Sequence, residues 1–290
     1  MISGRTKLIA HLGLPIGSFM APMIYNPYFE KHDIDAVVIP MGCQEADYAT
    51  FLPQVARLSN FLGALVTMPY KTSTVALLDA VTTTVSVAGA CNAVRRGPDG
   101  RLIGDMFDGE GFVRGVRRKG RAIRGARVLV IGSGGVGSAI SASLANANAA
   151  CIGLRDTNHL TMDRLASRLK AFFPDLTVQT DAPADGGWDV IVNATPLGMN
   201  ASDPMPMDVS AIAPSTLVGE VVMAREITPF LAAAQARGCE IQVGIDMLFE
   251  QIPAYLEFFG LRSTTPEELR SVARIGYKLD SAGSPTGATT

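Results

Sequence analysis

Long apolar runs, charge of one sign and metal-ligand spacing are all scarce in this sequence of 290 residues. No stretch approaches the roughly 18 apolar residues of a membrane-spanning helix, so we expect no membrane partner. The formal net charge of −2 provides no overall field that would attract nucleic acid. The four cysteines are scattered without a C-x-x-C pair, which argues against a disulfide framework or a zinc site. The three histidines share no ligand spacing, so we also expect no catalytic metal: His11, His32 and His159.

The chain has enough apolar residues for two separate cores, since 48% of its residues are hydrophobic and only 18% are charged. Its first residues form a short apolar run broken by His11 and Pro15, unlike a secretory signal. Together with the unpaired cysteines, this favours a cytoplasmic protein. We expect small-molecule partners, no nucleic acid and no membrane, and the sequence leaves a homodimer open.

The most informative stretch is VLVIGSGGVG at residues 128–137, because an apolar strand pattern runs directly into spaced glycines and then a helical pattern. The first glycine of such a loop allows a tight turn, and the second lets backbone N–H groups approach a pyrophosphate. The third lets helix and strand pack closely. The candidate cofactor-binding residues of this loop are Gly132, Gly134, Gly135, Val136 and Gly137.

Asp156 ends the next apolar stretch, at about the spacing where an acid meets the ribose of a bound dinucleotide. Its carboxylate would accept the 2′-hydroxyl of NAD and repel the 2′-phosphate of NADP. The neighbouring Arg155 could swing towards that phosphate and rescue some NADP binding. We therefore predict NAD as the cofactor, with NADP as the second choice. A glycine-rich turn that binds nothing is the weaker interpretation.

Strand and helix patterns alternate through most of the chain. Residues 1–108 show βαβα units followed by a hairpin at Pro98-Asp99-Gly100, and residues 109–245 contain six strands of a doubly wound sheet. The helical runs at 246–280 have no strands between them, so we expect them to complete the first domain. Residues 281–290 resemble a flexible tail. The predicted fold is α/β, with an N-terminal αβ substrate-binding and catalytic domain and a Rossmann doubly wound NAD-binding domain.

Two charged residues lie where a cleft between these domains would need them. Thr67 can cap a helix whose first turn contains Pro69, which would place Lys71 at the unfavourable positive end of that helix. Asp108 opens the next predicted helix. If both helix starts meet at the cleft, the pair can pass a proton to or from a substrate hydroxyl. A surface lysine and a capping aspartate are the alternatives without a function.

A basic stretch follows Asp108. A solvated linker helix is favoured over a phosphate-binding patch, because no aromatic platform is interleaved with its charges. Its basic residues are Arg114, Arg117, Arg118, Lys119, Arg121 and Arg124.

GALVTMPYK resembles the G-x-N-V-T-x-P-x-K motif of the shikimate/quinate dehydrogenase family. Five further segments resemble other motifs of that family and follow in the same order: GLPIGSFMAP, GACNAV, GDMFDGEG, VNATPLGM and GIDMLFEQ. The resemblance implies a dehydrogenase in which Lys71 and Asp108 are the catalytic pair. It implies substrate contacts at Thr67, Asn92 and Gln251, and cofactor contacts at Thr195 and Gly244.

The departures from the family pattern affect the substrate. The family's H-S-x-S-P loop holds a carboxylate with two serines, which here are Phe19 and Ala21. Ser18 replaces the histidine of that motif and could compensate in part, so Ser18 and Phe19 stay candidate substrate contacts. Each lost partner of a buried polar group costs about 1 to 3 kcal/mol, so we expect a substrate less polar, or differently charged, than shikimate. Further polar groups of the family are missing at Leu65, Met106, Phe107 and Met223, the last of these near the nicotinamide.

These observations predict an NAD-dependent oxidoreductase that transfers hydride reversibly between nicotinamide and a secondary alcohol of a small cyclic compound, with shikimate or quinate as poor substrates. A catalytically weak or inactive NAD-binding regulator on the same fold is the main alternative, because the substrate loop lacks its hydroxyls. Nucleic-acid binding through the basic stretch is a third interpretation. A glutamyl-tRNA-reductase-like enzyme would need a nucleophilic cysteine, and neither Cys43 nor Cys91 has a suitable setting.

Overall fold

The structure, a computed structural model, describes residues 2–275. The predicted tail at 281–290 and the end of the predicted 246–280 segment lie outside the described residues. Two six-stranded sheets, one in each half of the chain, organise the fold. No helix in the described part of the chain has the length and apolar character needed to cross a membrane.

The first sheet is built from the N-terminal strands β1 (Lys7–Gly13), β2 (Ala36–Gly42), β3 (Phe61–Val66), β4 (Ala80–Val81), β5 (Ala93–Arg96) and β6 (Leu102–Asp105). Their spatial order is β2-β1-β3-β5-β6-β4. Strands β1, β2 and β3 are parallel, as the βαβα pattern predicts, and β5 and β6 form the predicted antiparallel hairpin. Gly100, at φ 84°, supplies the left-handed residue of its turn. The helices of this half are α1 (Ala21–Lys31), α2 (Glu45–Val55) and α3 (Thr83–Ala88).

The second sheet contains six parallel strands, as predicted: β7 (Arg127–Ile131), β8 (Cys151–Arg155), β9 (Thr177–Thr180), β10 (Val190–Asn193), β11 (Leu217–Glu220) and β12 (Glu240–Gln242). Their order, β12-β11-β10-β7-β8-β9, is that of a dinucleotide-binding sheet. The order reverses between β7 and β10, so the ligand crevice lies at the carboxyl ends of those strands. The accompanying helices are α4 (Asp108–Arg118), α5 (Gly135–Asn146), α6 (His159–Phe172) and α7 (Pro229–Ala236).

The last two helices, α8 (Gly244–Phe258) and α9 (Pro266–Val272), return to the first sheet. Ile252 and Tyr255 of α8 share one buried core with Ile9 of β1 and Leu65 of β3. The apolar face of α8 therefore covers the N-terminal sheet. We keep the division into residues 1–108 with 246–280, and 109–245, as a proposal.

Helix α4 is not the solvated linker that its basic residues suggest. Phe112, Val113 and Val116 are fully buried on one face of the helix. Four of the six basic residues of this stretch, on α4 and just after it, pair with carboxylates that lie mainly in the C-terminal helices, which reduces the charge available to a phosphate. The pairs join Arg114 to Glu110 and Glu257, Arg118 to Glu250 and Glu267, Lys119 to Asp246, and Arg121 to Glu240.

Candidate active site

Lys71 and Asp108 are in contact, although 37 positions separate them in the sequence. Lys71 Nζ donates to Asp108 Oδ2 at 2.6 Å, and Asn92 Nδ2 donates to Asp108 Oδ1 at 2.9 Å. Asn92 is held in turn, because its Oδ1 accepts from the backbone N–H of Phe107 at 2.9 Å. The Asp108 side chain is 7% exposed and that of Lys71 is 23% exposed. The carboxylate is thus fixed on the protein side, and the ammonium group is the more accessible partner.

Asp108 is the first residue of α4, and its carboxylate makes no capping hydrogen bond to that helix. The residue at the cap position is Phe107. Both oxygens of Asp108 are directed to Asn92 and Lys71 instead. The capping alternative therefore does not explain the position of this carboxylate.

The predicted helix capped by Thr67 was wrong. Residues 68–72 form turns after β3, and the next helical element is a short 3₁₀ segment, Ser73–Leu77. The backbone carbonyl of Lys71 accepts from the N–H of Cys91 at 2.8 Å, which ties this segment to the start of β5. Lys71 is thus positioned by a turn and not by the first turn of an α-helix, so helix polarity does not explain it.

Packing around Tyr70, which sequence reasoning missed, holds the turn that carries Lys71. The Tyr70 ring stacks on that of Tyr48 with centroids 4.0 Å apart and planes 8° apart. The Tyr70 hydroxyl donates to the carbonyl of Cys43, and the Tyr48 hydroxyl bonds Thr74 Oγ1 at 2.6 Å. Burial raises the pKa of Tyr48, so its hydroxyl stays protonated. Nothing in the local sequence pairs these two tyrosines, because the contact is tertiary.

The substrate loop residue Phe19 lies on the same side of the sheet as Thr67. A Cβ added at Gly13 would meet Thr67 Cγ2 at 2.5 Å and Phe19 Cζ at 2.8 Å. The Phe19 ring also stacks on that of His11, with centroids 4.0 Å apart. His11, expected from the sequence only to be structural or a surface residue, lies two residues before Gly13 on the same face of β1 and so belongs to this side of the sheet.

The remaining candidates of the loop lie close by. Ser18 ends a single 3₁₀ turn, Ile16–Ser18, and Ala21 begins α1 as a buried residue. Leu65 lies opposite His11 in the β1–β3 register and is buried. The departures at 19, 21 and 65 therefore occupy one continuous, mainly apolar surface.

Gln251 reaches the site from α8. Its side chain packs against Gly111 of α4, and its Oε1 is buried without a hydrogen-bond partner among the described residues. Tyr255, one turn later on α8, donates to the backbone carbonyl of Asn92 at 3.3 Å. Helix α8 therefore brings an unpaired amide oxygen to the elements that hold Asp108.

The glycine loop has the geometry that a pyrophosphate site requires. Gly132 adopts φ 100°, which disfavours any side chain, and a Cβ there would meet Thr195 Cγ2 at 2.9 Å. A Cβ at Gly137 would overlap the carbonyl oxygen of Gly132. The turn and the close packing of α5 on β7 thus both depend on glycine, and Thr195 lies against the same loop.

The other loop residues leave an open helix N-terminus. Gly134 is the cap residue of α5, Gly135 begins that helix, and both are exposed. A Cβ at either position would meet no atom within 4 Å. Val136 is half-buried and packs on the main core of this half. Exposed backbone N–H groups at the positive end of a 12-residue helix fit an anionic pyrophosphate.

Asp156 follows β8 and lies beside the glycine loop. Its Oδ2 accepts from the backbone N–H of Ser133 at 2.6 Å, and its Oδ1 accepts from that of Asn158 at 2.8 Å. Arg155 is the last residue of β8 and is half-buried. A carboxylate at this edge of the sheet fits the ribose end of a dinucleotide.

Met223 and Gly244 lie at the opposite end of the crevice. Met223 is 40% exposed and follows Val222. A Cβ at Gly244 would overlap the carbonyl oxygen of Val222, so α8 can begin this close to the β11 loop only with glycine. The two residues predicted near the nicotinamide are thus neighbours in space.

Glu220, which sequence reasoning missed, is a fully buried carboxyl group at the carboxyl end of β11. Its Oε2 accepts from Thr228 Oγ1 at 2.8 Å, and its Oε1 has no partner among the described residues. Burial raises its pKa to about 7, against the opposing effects of Thr228, Asn193 and Arg225. The group therefore holds its proton to a much higher pH than an exposed glutamate does.

Metal ligation has no candidate in residues 2–275, which contain no group of three or more His, Cys, Asp or Glu side chains able to hold an ion. The expectation that the chemistry uses no metal stays a prediction.

Residues 12–94 match the family profile described as shikimate dehydrogenase substrate binding domain. The shikimate dehydrogenase (NADP(+)) of Rhodospirillum rubrum is 33% identical to this chain over 279 residues, covering 93% of this chain and 98% of that protein. This chain belongs to the shikimate dehydrogenase family. The resemblance that its motifs carry is confirmed, and with it the class of oxidoreductase that uses a nicotinamide cofactor and a small-molecule substrate.

Solved members of the shikimate dehydrogenase family share the fold. Shikimate 5-dehydrogenase of Listeria monocytogenes, in complex with shikimate and NAD, gives a TM-score of 0.87 at 22% identity, covering 93% of this chain and 97% of that one. Quinate dehydrogenase of Corynebacterium glutamicum, in complex with NAD, gives 0.81 at 27% identity, covering 92% and 98%. The predicted α/β architecture, with a substrate-binding domain and a Rossmann domain, is confirmed.

Proposed function

We propose that this protein is an NAD-preferring dehydrogenase that interconverts a secondary alcohol and a ketone on a small cyclic compound, with substrate recognition altered from that of shikimate. The observation that carries the proposal is the contact of Lys71 with Asp108 at 2.6 Å, together with a substrate loop in which Phe19 and Ala21 replace the two serines of the family. The regulator alternative gives no role to the accessible ammonium of Lys71, which the proposed dehydrogenase uses to transfer the proton.

NAD, when bound, accepts or returns the hydride. The Lys71–Asp108 pair takes the hydroxyl proton during oxidation of the alcohol and returns it during reduction of the ketone. Asn92 keeps the Asp108 carboxylate directed at Lys71, so the proton has a short path between the two groups. The proposed substrate contacts are Thr67, Asn92, Gln251, Ser18 and Phe19.

The proposed cofactor contacts follow the crevice from the ribose end to the nicotinamide end. They are Arg155, Asp156, Gly132, Gly134, Gly135, Val136, Gly137, Thr195, Met223 and Gly244. The helix N-terminus at Gly134 and Gly135 supports placing the pyrophosphate there.

The preference for NAD rests on Asp156. The Rhodospirillum rubrum relative is named for NADP(+), whereas the Corynebacterium glutamicum enzyme was solved with NAD. We favour NAD because a carboxylate at the ribose edge attracts a 2′-hydroxyl and repels a 2′-phosphate. Direct titration of the protein with both cofactors tests this, and tighter binding of NADP would contradict it.

The experiment for the activity is a screen of cyclic secondary alcohols, including shikimate and quinate, with NADH formation as the signal. Lys71→Met should lower kcat/KM for any substrate found by at least about a hundredfold, because proton transfer would lose its partner. Lys170→Met, on exposed α6, is the control and should leave the rate unchanged. Unchanged turnover in Lys71→Met would refute the mechanism. Tight NAD binding without any turnover would favour the regulator instead.

A further inference from the structure

His11 lies on the substrate side of the first sheet but belongs to none of the family motifs used above. It faces Phe19 at a ring-centroid distance of 4.0 Å and Leu65 across the β1–β3 register. Two residues later on the same face of β1, Gly13 contacts Thr67 and Phe19. The imidazole is thus surrounded by residues that replace polar groups of the family pattern.

The Nδ1 atom of this imidazole has no hydrogen-bond partner among the described residues. His11 is 8% exposed, and its Nδ1 is buried. Leaving a buried polar atom unpaired is costly, so a ligand group that pairs with it gains more than an ordinary surface hydrogen bond would give. Burial, helped by the charge of Lys71, lowers the pKa of His11 to about 4. At neutral pH the ring is therefore uncharged and can donate or accept one hydrogen bond at each nitrogen.

A carboxylate has little to stabilise it against this surface. The loop residues at the two serine positions, Phe19 and Ala21, offer no hydroxyl donors. The charged group that acts on His11 is Lys71, and its ammonium is already bonded to Asp108. With that ammonium engaged, and only the candidate contacts Ser18 and Thr67 to add hydroxyls to the neutral ring, burying a carboxylate here costs more than burying an amide or a hydroxyl, which needs only one hydrogen bond.

We propose that His11 and Phe19 together select a substrate whose end opposite the reacting hydroxyl carries an uncharged polar group instead of a carboxylate. This inference rests on the proposed dehydrogenase function. It defines the class of substrate as neutral cyclic alcohols and ketones, with the ring against Phe19 and the neutral polar group against His11.

The test uses shikimate and its primary carboxamide, two probes that share every hydroxyl and differ in the charge of one group. Calorimetric titration of the full chain, with and without NADH, should show the carboxamide binding at least about tenfold more tightly. Equal affinity, tighter binding of shikimate, or binding of neither probe at millimolar concentration would overturn the proposal.

Variants separate the role of His11 from a structural one. His11→Phe keeps a ring to stack on Phe19 and should lower carboxamide affinity about tenfold, while the weak affinity for shikimate stays unchanged. His11→Asn retains a polar atom near the place of Nδ1, so its affinity for the carboxamide should stay within about threefold of that of the parent protein. This variant keeps the test decisive if His11→Phe does not fold. His159→Phe, whose side chain is 68% exposed in the native protein, is the matched control. An equal loss of affinity for both probes in His11→Phe would mean that His11 has only a structural role.

Restoring both serines gives the reverse test. Phe19→Ser combined with Ala21→Ser should raise shikimate affinity at least about tenfold. The outcomes for the two proposals stay distinct. A protein that oxidises cyclic alcohols through Lys71 but prefers carboxylates refutes only this inference. A protein that binds the carboxamide through His11 without hydride transfer refutes only the proposed activity.

Discussion

The crevice of the second sheet and the substrate side of the first sheet differ in which groups would contact a ligand. In the crevice of the second sheet these groups belong mainly to the backbone. Gly132 turns the chain, Gly137 lets α5 approach β7, and N–H groups at the start of α5 are open near Gly134. In the first, side chains such as Phe19 and Leu65 form the surface. A site whose ligand contacts come from the backbone tolerates few substitutions. A site whose contacts come from side chains can change its ligand by substitution while the fold of its sheet stays the same.

The largest effect is expected from adding a single methyl group to the glycine loop, which tests whether that site depends on backbone contacts. Gly137→Ala would force a Cβ onto the carbonyl of Gly132, so we expect the free energy of unfolding to fall by about 3 kcal/mol and NAD binding to disappear. Chemical denaturation and cofactor titration measure the two effects.

Gly134→Ala is the matched control for that experiment, because a Cβ there meets no protein atom within 4 Å. It should leave stability nearly unchanged and weaken only cofactor binding, since the methyl group would face the pyrophosphate. If Gly137→Ala were as stable as Gly134→Ala, the loop would not depend on backbone contact as described.

A smaller effect is expected from the buried carboxyl of Glu220. Its pKa of about 7 in the folded protein lies above the ordinary value of 4.5, so the folded state holds its proton more tightly than the unfolded state. The stability it contributes is complete below pH 4.5 and is lost as pH rises to about 7. Glu220→Gln cannot ionise and should be more stable than the parent by roughly 2 kcal/mol above neutral pH, but not in acid.

Denaturation of both proteins at acidic and at mildly alkaline pH measures the Glu220 effect. Glu226→Gln, at an exposed position, should show no such pH-dependent difference. A stability difference between Glu220→Gln and the parent that does not change with pH would mean that Glu220 does not titrate in this range.

The smallest expected effect concerns cofactor choice. Asp156→Asn removes the charge and keeps one oxygen to accept from the N–H of Ser133, although it loses the hydrogen bond from the N–H of Asn158. We expect the ratio of NADP to NAD affinity to rise about tenfold, because repulsion of the 2′-phosphate is removed. Asp163→Asn, exposed on α6, serves as the control. An unchanged ratio in Asp156→Asn would remove the basis for the proposed NAD preference.

Much of the second half was accessible from sequence because its signals are local. The glycines, Asp156 and the strand pattern are close together in the chain, and the predicted parallel sheet matches the observed order. The contact of Lys71 with Asp108 was anticipated for a wrong local reason, since a helix capped by Thr67 does not form. The resemblance to the family motifs predicted the same pair without that helix.

The features that sequence reasoning missed are all tertiary. The stacking of Tyr48 on Tyr70, the burial of Glu220 and the facing of His11 by Phe19 join residues from separate elements. Hydrophobic periodicity identifies which residues are buried on one face, but it does not identify their neighbours across strands. The basic helix α4 illustrates the same limit, because the carboxylates that neutralise it lie mainly in the C-terminal helices.

Helix α8 contacts both halves of the molecule and so links the distance between them to its own length. Its first residue, Gly244, packs against Val222 in the loop after β11, and Tyr255 donates to the backbone carbonyl of Asn92, whose side chain holds Asp108. The eleven residue steps from Gly244 to Tyr255 correspond to about 16 Å of helix, in which Pro253 lacks one backbone N–H. The helix therefore acts as a spacer between the proposed proton-transfer pair and the loop where the nicotinamide end of the cofactor is proposed to lie.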